Sequence, residues 1–218
     1  MQKFFEYFHT LLDPEKLIGL GGVGALALLI ILIVVFIENG VFFGFFLPGD
    51  TLLFTAGLLS ATDKLKIPIY VLLITICIAA VLGSIFGYLF GKKMGDSLFL
   101  KKDSLLFKKK YILTAEAFFK KHGGMALIMG RFLPIIRTFA PIFAGIVKFD
   151  FKKFLTFNLT GGVLWVFSML LFGYFLGRLF PGVKNNLEYV IIGIIIVTWI
   201  PVIRTYLKER KNLVNKAD

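Results

Sequence analysis

An all-α polytopic membrane protein, built as an inverted-topology repeat, is the fold class that three features of this sequence predict. Each copy would be a proline-broken re-entrant hairpin followed by one transmembrane helix, with additional spanning helices and an amphipathic cytoplasmic helix. The first feature is composition: 58% of the 218 residues are hydrophobic and 17% are charged, and the mean hydropathy is +0.86. Such values belong to a chain whose solvent is lipid. The second is a self-match at an offset of 86 residues, which aligns "GFFLP" at 44–48 with "GRFLP" at 130–134 and "FGYLFGK" at 86–92 with "FGYFLGR" at 172–178. Two separated blocks that agree on one offset indicate a duplication. The third is the distribution of lysine and arginine, which decides how the short elements enter the membrane.

Taken in order, "MQKFFEYFHTLLDPEK" mixes acids, a histidine and a proline with apolar residues and predicts a surface helix broken near Asp13 and Pro14. It lacks a short apolar core followed by a small-residue cleavage site, so no cleavable signal peptide is expected. Residues 19–37 read as a span, and the glycines of "GLGGVG" serve helix packing, since no strand precedes them and no phosphate-binding lysine follows. Two apolar pieces, 41–47 and 51–60, are split by Pro48, Gly49 and Asp50, and each is too short to cross a hydrocarbon core of about 30 Å. Residues 68–90 span. From 92 to 121 the chain turns polar and carries nine lysines, and "YILTAEAFFKKH" has the period of an amphipathic interfacial helix. A second broken element surrounds Pro134, and spans at 154–176 and 187–206 precede a basic tail. One membrane domain, 1–218, thus holds repeat 1 at about 38–92, a lysine-rich cytoplasmic linker at about 93–122, repeat 2 at about 124–178 and a C-terminal span at about 187–206.

Loops on the cytoplasmic side carry the lysine and arginine excess. If both broken elements are re-entrant, 19 basic residues fall inside and only Lys64, Lys66, Arg178 and Lys184 outside. If both cross the membrane, 11 lie inside and 12 outside. The re-entrant reading, with both termini cytoplasmic, is the one that obeys the rule. It bears mostly on the second element, because making only the first one span moves just Lys3 and Lys16; symmetry between the copies supplies the case for the first. Copies that enter from opposite faces form the inverted repeat common among transporters, whose sites lie at broken helices near the midplane. Backbone freed at Pro48, Gly49 and Pro134, the hairpin tips, cannot face lipid and must be buried in protein or line a polar cavity.

Four ionisable residues fall within these elements, Glu38 and Asp50 in the first and Arg131 and Arg137 in the second. A lone charge at the bilayer centre costs about 3 kcal/mol on insertion scales, so the four are expected to pair or to face water. A bland reading makes them ion pairs that orient the hairpins, or lets Glu38 and Arg131 snorkel to the headgroups. The functional reading uses the arginine fork, which suits phosphate, with Arg131 and Arg137 binding a phosphate head. The carboxylates of Glu38 and Asp50 would then take up a coupling ion, a proton or sodium.

Other classes are poorly supported. The net charge of +12 does not indicate nucleic acid, because the lysines cluster between hydrophobic segments. Cys77 lies in an apolar run and reads as packing. His122 reads as an interfacial helix end, and "NLT" at 158–160 sits in a span, where glycosylation does not occur. No Ser/His/Asp or Cys/His set, phosphate loop or metal-ligand cluster is recognisable, so no enzyme, catalytic residue, metal or cofactor is expected. Gly83, Gly87 and Gly91 at four-residue spacing permit close contact within the chain or between copies, which leaves room for a homo-oligomer.

The motifs "ENGVFFGFFLPGDTLL" (38–53), "GRFLPIIRTFAPIFAG" (130–145) and "NLTGGVLW" (158–165) closely resemble the DedA family of bacterial inner-membrane proteins, related to the VTT-domain lipid scramblases. The likeness runs over roughly residues 15–206. It implies two re-entrant hairpins meeting in the membrane, and a functional role for Glu38, Asp50, Arg131 and Arg137, with Asn158 and Trp165 of the third motif in support. Family members are linked to returning undecaprenyl phosphate to the cytoplasmic face, and others to phosphatidylethanolamine movement; they are also linked to resistance to alkaline pH and cationic peptides that depends on the proton motive force. The expectation is a multi-pass lipid transporter of the bacterial cytoplasmic membrane whose partner is a polyprenyl phosphate or a phospholipid. A phosphatidylethanolamine scramblase, a proton-coupled small-ion antiporter, and an organiser that recruits proteins through the lysine-rich linker are the alternatives.

Overall fold

The computed structural model describes residues 24–62, 65, 67–98, 117–119 and 121–179. The N-terminal surface helix, most of the lysine-rich linker and the span at 187–206 lie outside the described residues. Six α-helices are described: α1 Ala25–Gly40, α2 Gly49–Ala61, α3 Ile69–Leu98, α4 Met125–Gly130, α5 Pro134–Ile146 and α6 Phe151–Leu179, with a 3-10 turn at Gly44–Phe46. The described residues contain no strand.

At 1.5 Å per residue, α3 with 30 residues and α6 with 29 are about 45 Å long and exceed the hydrocarbon core. They are the two described helices long and apolar enough to cross a membrane. Both run past the expected ends, α3 to Leu98 and α6 from Phe151 to Leu179. By contrast α1, with 16 residues, reaches about 24 Å, and α2 and α5, with 13 each, about 20 Å.

The break in the first half differs from the expected one. Residues 41–47 are not a half-helix. Val41 leaves α1 in an extended conformation, Gly44 N–H donates to Val41 O at 2.7 Å, and Leu47 N–H donates to Gly44 O at 2.9 Å. Pro48 then opens α2, where its missing N–H costs nothing. The helical arms on either side of the break are therefore α1 and α2, so the run expected to span at 19–37 forms, over its described residues, the first arm instead, and Glu38 falls on the last turn of α1. In the second half α4 ends at Gly130, residues 131–133 turn, and Pro134 takes the first position of α5. A further proline, Pro141, lies inside α5 and removes the N–H that would have bonded the carbonyl of Arg137.

Packing exchanges elements between the halves. Helix α2 lies along α6, and α5 lies along α3. Glycine makes both crossings close: a Cβ on Gly173 of α6 would run into the backbone of Phe54 in α2, and one on Gly145 of α5 into the backbone of Tyr88 and Lys92 in α3. Around the first crossing Leu52, Leu53, Phe54, Leu58, Trp165 and Leu170 form a buried core continuous with Ile31, Leu72 and Ile76. Tyr88, Phe119, Leu127, Ala144 and Phe154 form the second. Tyr88 fastens the end of α5 by donating to Phe149 O at 2.6 Å.

The outer surface is apolar where a water-soluble protein would be polar. Tyr70, Ile74, Ile78, Leu82 and Phe86 form an exposed stripe at four-residue spacing along α3, and Leu159, Phe172 and Phe175 are exposed on α6. Polar side chains between the helices turn inward: Glu38, Asn39, Thr51, Thr55, Ser84, Arg131, Arg137, Thr138 and Asn158 are all buried, while exposed charges such as Lys92, Lys93, Lys152 and Lys153 lie near the ends of the long helices. This reversal is what a hydrocarbon solvent selects.

The glycine crossings carry a prediction. Gly145→Ala forces the backbones of α5 and α3 apart, an overpacking cost of about 1–3 kcal/mol. Thermal unfolding of the detergent-purified variant should show an apparent Tm lowered by several degrees, and a Tm equal to wild type would contradict the close crossing.

Candidate functional site

The buried polar residues converge where the short helices are broken. Each of the four expected charges comes from a helix end or a turn: Glu38 from the last turn of α1, Asp50 from the first turn of α2, Arg131 from the cap after α4, and Arg137 from the first turn of α5. Asp50 suits its place, since an acid is stabilised at a helix N-terminus. Glu38 does not, because the C-terminal end of a helix is already negative. Its carboxylate needs compensation from elsewhere.

Arg137 supplies it. One arm of the guanidinium, Nη2, donates to Glu38 Oε1, and the other, Nη1, donates to Asp50 Oδ1 at 2.6 Å. The same Asp50 oxygen accepts the indole N–H of Trp165 at 2.7 Å, and the Arg137 guanidinium carbon lies 4.3 Å from the centre of that indole. Trp165 is thus both a donor to the acid and a cation–π face for the base. Arg137 Nη1 also reaches the backbone carbonyl of Arg131, at 3.4 Å. One side chain thereby ties α1, α2, α5 and α6 together.

Gly49 makes the same meeting possible from the other side. The Glu38 carboxylate rests on its Cα, in the space a Cβ would fill. Thr138 completes the join by donating to the backbone carbonyl of Glu38 at 2.8 Å, so a carbonyl at the end of α1 is satisfied by α5.

Arg131 is held differently. Its Nη2 donates to Ser84 Oγ at 2.9 Å and to Asn158 Oδ1, and its Nη1 donates to Asn39 Oδ1 at 3.4 Å. None of these acceptors is charged. Asn158 Nδ2 is itself held by Val81 O at 3.3 Å, Asn39 Nδ2 by Val35 O at 2.8 Å, and Ser84 Oγ donates to Ala80 O at 3.1 Å. Arg131 lies across the glycine face of α6, 3.1 Å from where a Cβ of Gly161 would stand.

Glu38, Asp50, Arg131, Arg137, Asn158 and Trp165 are therefore brought together, and Pro48, Gly49 and Pro134 flank them. Glu38 and Arg131 do not snorkel: they are 1% and 3% exposed. Pairing is uneven, because Arg137 takes both carboxylates and Arg131 takes neither. Asn39, Ser84 and Thr138 were not anticipated. Asn39 and Ser84 carried a signal, being polar residues in or beside apolar runs, whereas nothing in the sequence marks Thr138 as the partner of α1. Among the described residues no three His, Cys, Asp or Glu side chains come together as a metal site would require.

Removing the indole donor tests the arrangement. Trp165→Phe keeps a ring over Arg137 but leaves Asp50 without its N–H, a loss of about 1.5–3 kcal/mol for a hydrogen bond to a charged group. Its apparent Tm should fall clearly below wild type, and an unchanged Tm would show that the bond carries no load.

Comparison with known proteins places this geometry. The VTT domain family matches residues 47–175, a range that holds every site residue named above except Glu38 and Asn39. An uncharacterized membrane protein of Mycobacterium leprae is 44% identical over 191 residues, covering 87% of this chain and 84% of the relative. Protein DedA of Escherichia coli is 35% identical over 182 residues, 84% of this chain and 83% of the relative. The inner membrane protein YqjA of Escherichia coli is 34% identical over 171 residues, 78% and 74%. No solved structure matches. With the matched domain, the relatives and the apolar exterior in agreement, the chain belongs to the VTT-domain family of membrane proteins that includes DedA.

Proposed function

We propose that this protein carries a lipid phosphate, undecaprenyl phosphate in its bacterial setting, across the cytoplasmic membrane, with uptake of a proton or another cation by the acids. The observation that carries the proposal is the cluster of two arginines and two acids, buried where short helices end, inside a protein whose exposed surface is apolar. A charge held at that depth in lipid is costly, and a family of side chains kept there together has work to do on a polar solute.

The solute is inferred from chemistry. A guanidinium fork matches a phosphate and keeps its charge when buried. A lipid needs only its head group to pass a polar route, since its tail remains in hydrocarbon. In this reading α1 with α2, and α4 with α5, are the two re-entrant hairpins of an inverted repeat. Their support is the exchange of α2 onto α6 and of α5 onto α3, the pattern expected of two copies related by an axis in the membrane plane. Glu38, Asp50, Arg131 and Arg137 then form the passage site at the pseudosymmetry centre, with Asn158 and Trp165 supporting it. In this reading the lysine-rich linker lies on the cytoplasmic side, following the excess of lysine and arginine there.

Reconstitution tests the function. Proteoliposomes holding the wild-type chain should move undecaprenyl phosphate across the bilayer, faster under an imposed pH gradient, and should leave phosphatidylethanolamine behind. Equal movement of both lipids without regard to the gradient would replace the proposal with a scramblase. Movement of neither, together with ion flux in vesicles lacking the carrier lipid, would replace it with an ion antiporter.

A further inference from the structure

We infer that the two arginines have separate tasks: Arg131 receives the phosphate, held in place by Asn39, Ser84 and Asn158 as positioning residues, while Arg137 is a latch between hairpins. The inference rests on the lipid-phosphate reading above and divides its site.

Charge distribution is the first ground. Arg137 lies between two carboxylates, Glu38 and Asp50, so an arriving anion there would meet two negative groups before one positive group. Arg131 donates to three neutral oxygens and to no carboxylate among the described residues. A buried guanidinium without an anion gains more from a phosphate than one already neutralised. The three bonds use three of its five N–H groups, and the one to Asn39 is long at 3.4 Å, so donors remain for an oxyanion.

Orientation is the second. Asn39 and Asn158 each commit their amide N–H to a helix carbonyl, Val35 O and Val81 O, and Ser84 commits its hydroxyl proton to Ala80 O. These bonds turn the amide nitrogens away and leave Asn39 Oδ1, Asn158 Oδ1 and Ser84 Oγ as acceptors facing Arg131. The collar holds a cation in place without cancelling its charge, which is what an anion site requires and what a carboxylate collar would prevent.

Access is the third. Arg131 begins the turn that continues into Phe132 and Leu133, whose side chains are 45% and 41% exposed and apolar. A lipid head at Arg131 would have its tail beside that exposed turn.

The experiment is calorimetric titration of the full chain, purified in a neutral detergent, with dihexanoyl phosphatidic acid as a short-chain probe. Wild type should bind it. Arg131→Gln should weaken binding by about 10-fold or more, the range expected for charge-assisted hydrogen bonds, and Arg131→Lys should recover part of the loss. Asn158→Asp is the decisive variant. It keeps an oxygen acceptor for Arg131 and neutralises the guanidinium, at the loss of the bond to Val81 O, so probe affinity should fall about as far as in Arg131→Gln. A merely structural Asn158 would leave probe affinity unchanged in that variant. Lys152→Ala, an exposed charge on α6, should bind as wild type. If wild type binds and both Arg131→Gln and Asn158→Asp bind equally well, the division of tasks is wrong and the lipid-phosphate reading stands. If wild type itself does not bind the probe, the lipid-phosphate reading falls and this inference with it.

Discussion

The ion pair that joins Arg137 to Glu38 and Asp50 is the constraint on which the rest of the described structure depends. In water each charge would be solvated alone and the helix ends could drift apart. In hydrocarbon an unpaired charge is costly, and a pair whose partner is removed leaves a buried charge with nothing to compensate it. Glu38 ends α1, Asp50 begins α2 and Arg137 begins α5, so satisfying the charges brings three helix termini to one point. Trp165 adds a fourth element by donating to Asp50 and covering Arg137.

Why the helices end there follows from the backbone. Gly40 and Val41 stop α1, Pro48 and Gly49 start α2, and Pro134 starts α5. Each interruption frees N–H or C=O groups that lipid cannot satisfy. Close glycine crossings bring α2 against α6 and α5 against α3, so that the interruptions are walled by the two long helices. The charges could not meet without the breaks, and the breaks would be exposed without the crossings.

Much of this was legible in the sequence because the signals were strong in their context. Glu38, Asp50, Arg131 and Arg137 stand out as ionisable residues in apolar runs, and cost alone predicts that they pair. Residues 68–90 and 154–176 were long enough to identify α3 and α6. The first break was misplaced, because an apolar stretch at 41–47 reads as a half-helix by composition, whereas the hydrogen bonds of Gly44 and Leu47 wind it into a turn. The unequal treatment of the arginines was invisible for a different reason. Which base meets which acid depends on the relative positions of four helix ends, and no periodicity encodes that. Thr138 was likewise hidden: its hydroxyl reaches Pro134 O of its own helix at 3.5 Å, and its shorter bond to Glu38 O exists only because α1 ends against α5.

A double-mutant cycle between Glu38 and Arg137 tests the latch most directly. Stabilities of wild type, Glu38→Gln, Arg137→Gln and the double variant would be measured by reversible unfolding in bicelles. A working latch makes each single substitution strip a buried charge of its partner, so the double variant should be more stable than the sum of the singles allows, by about 1–3 kcal/mol. Additivity within about 0.5 kcal/mol would mean that the two side chains do not depend on each other, and that some other interaction holds the broken helices together.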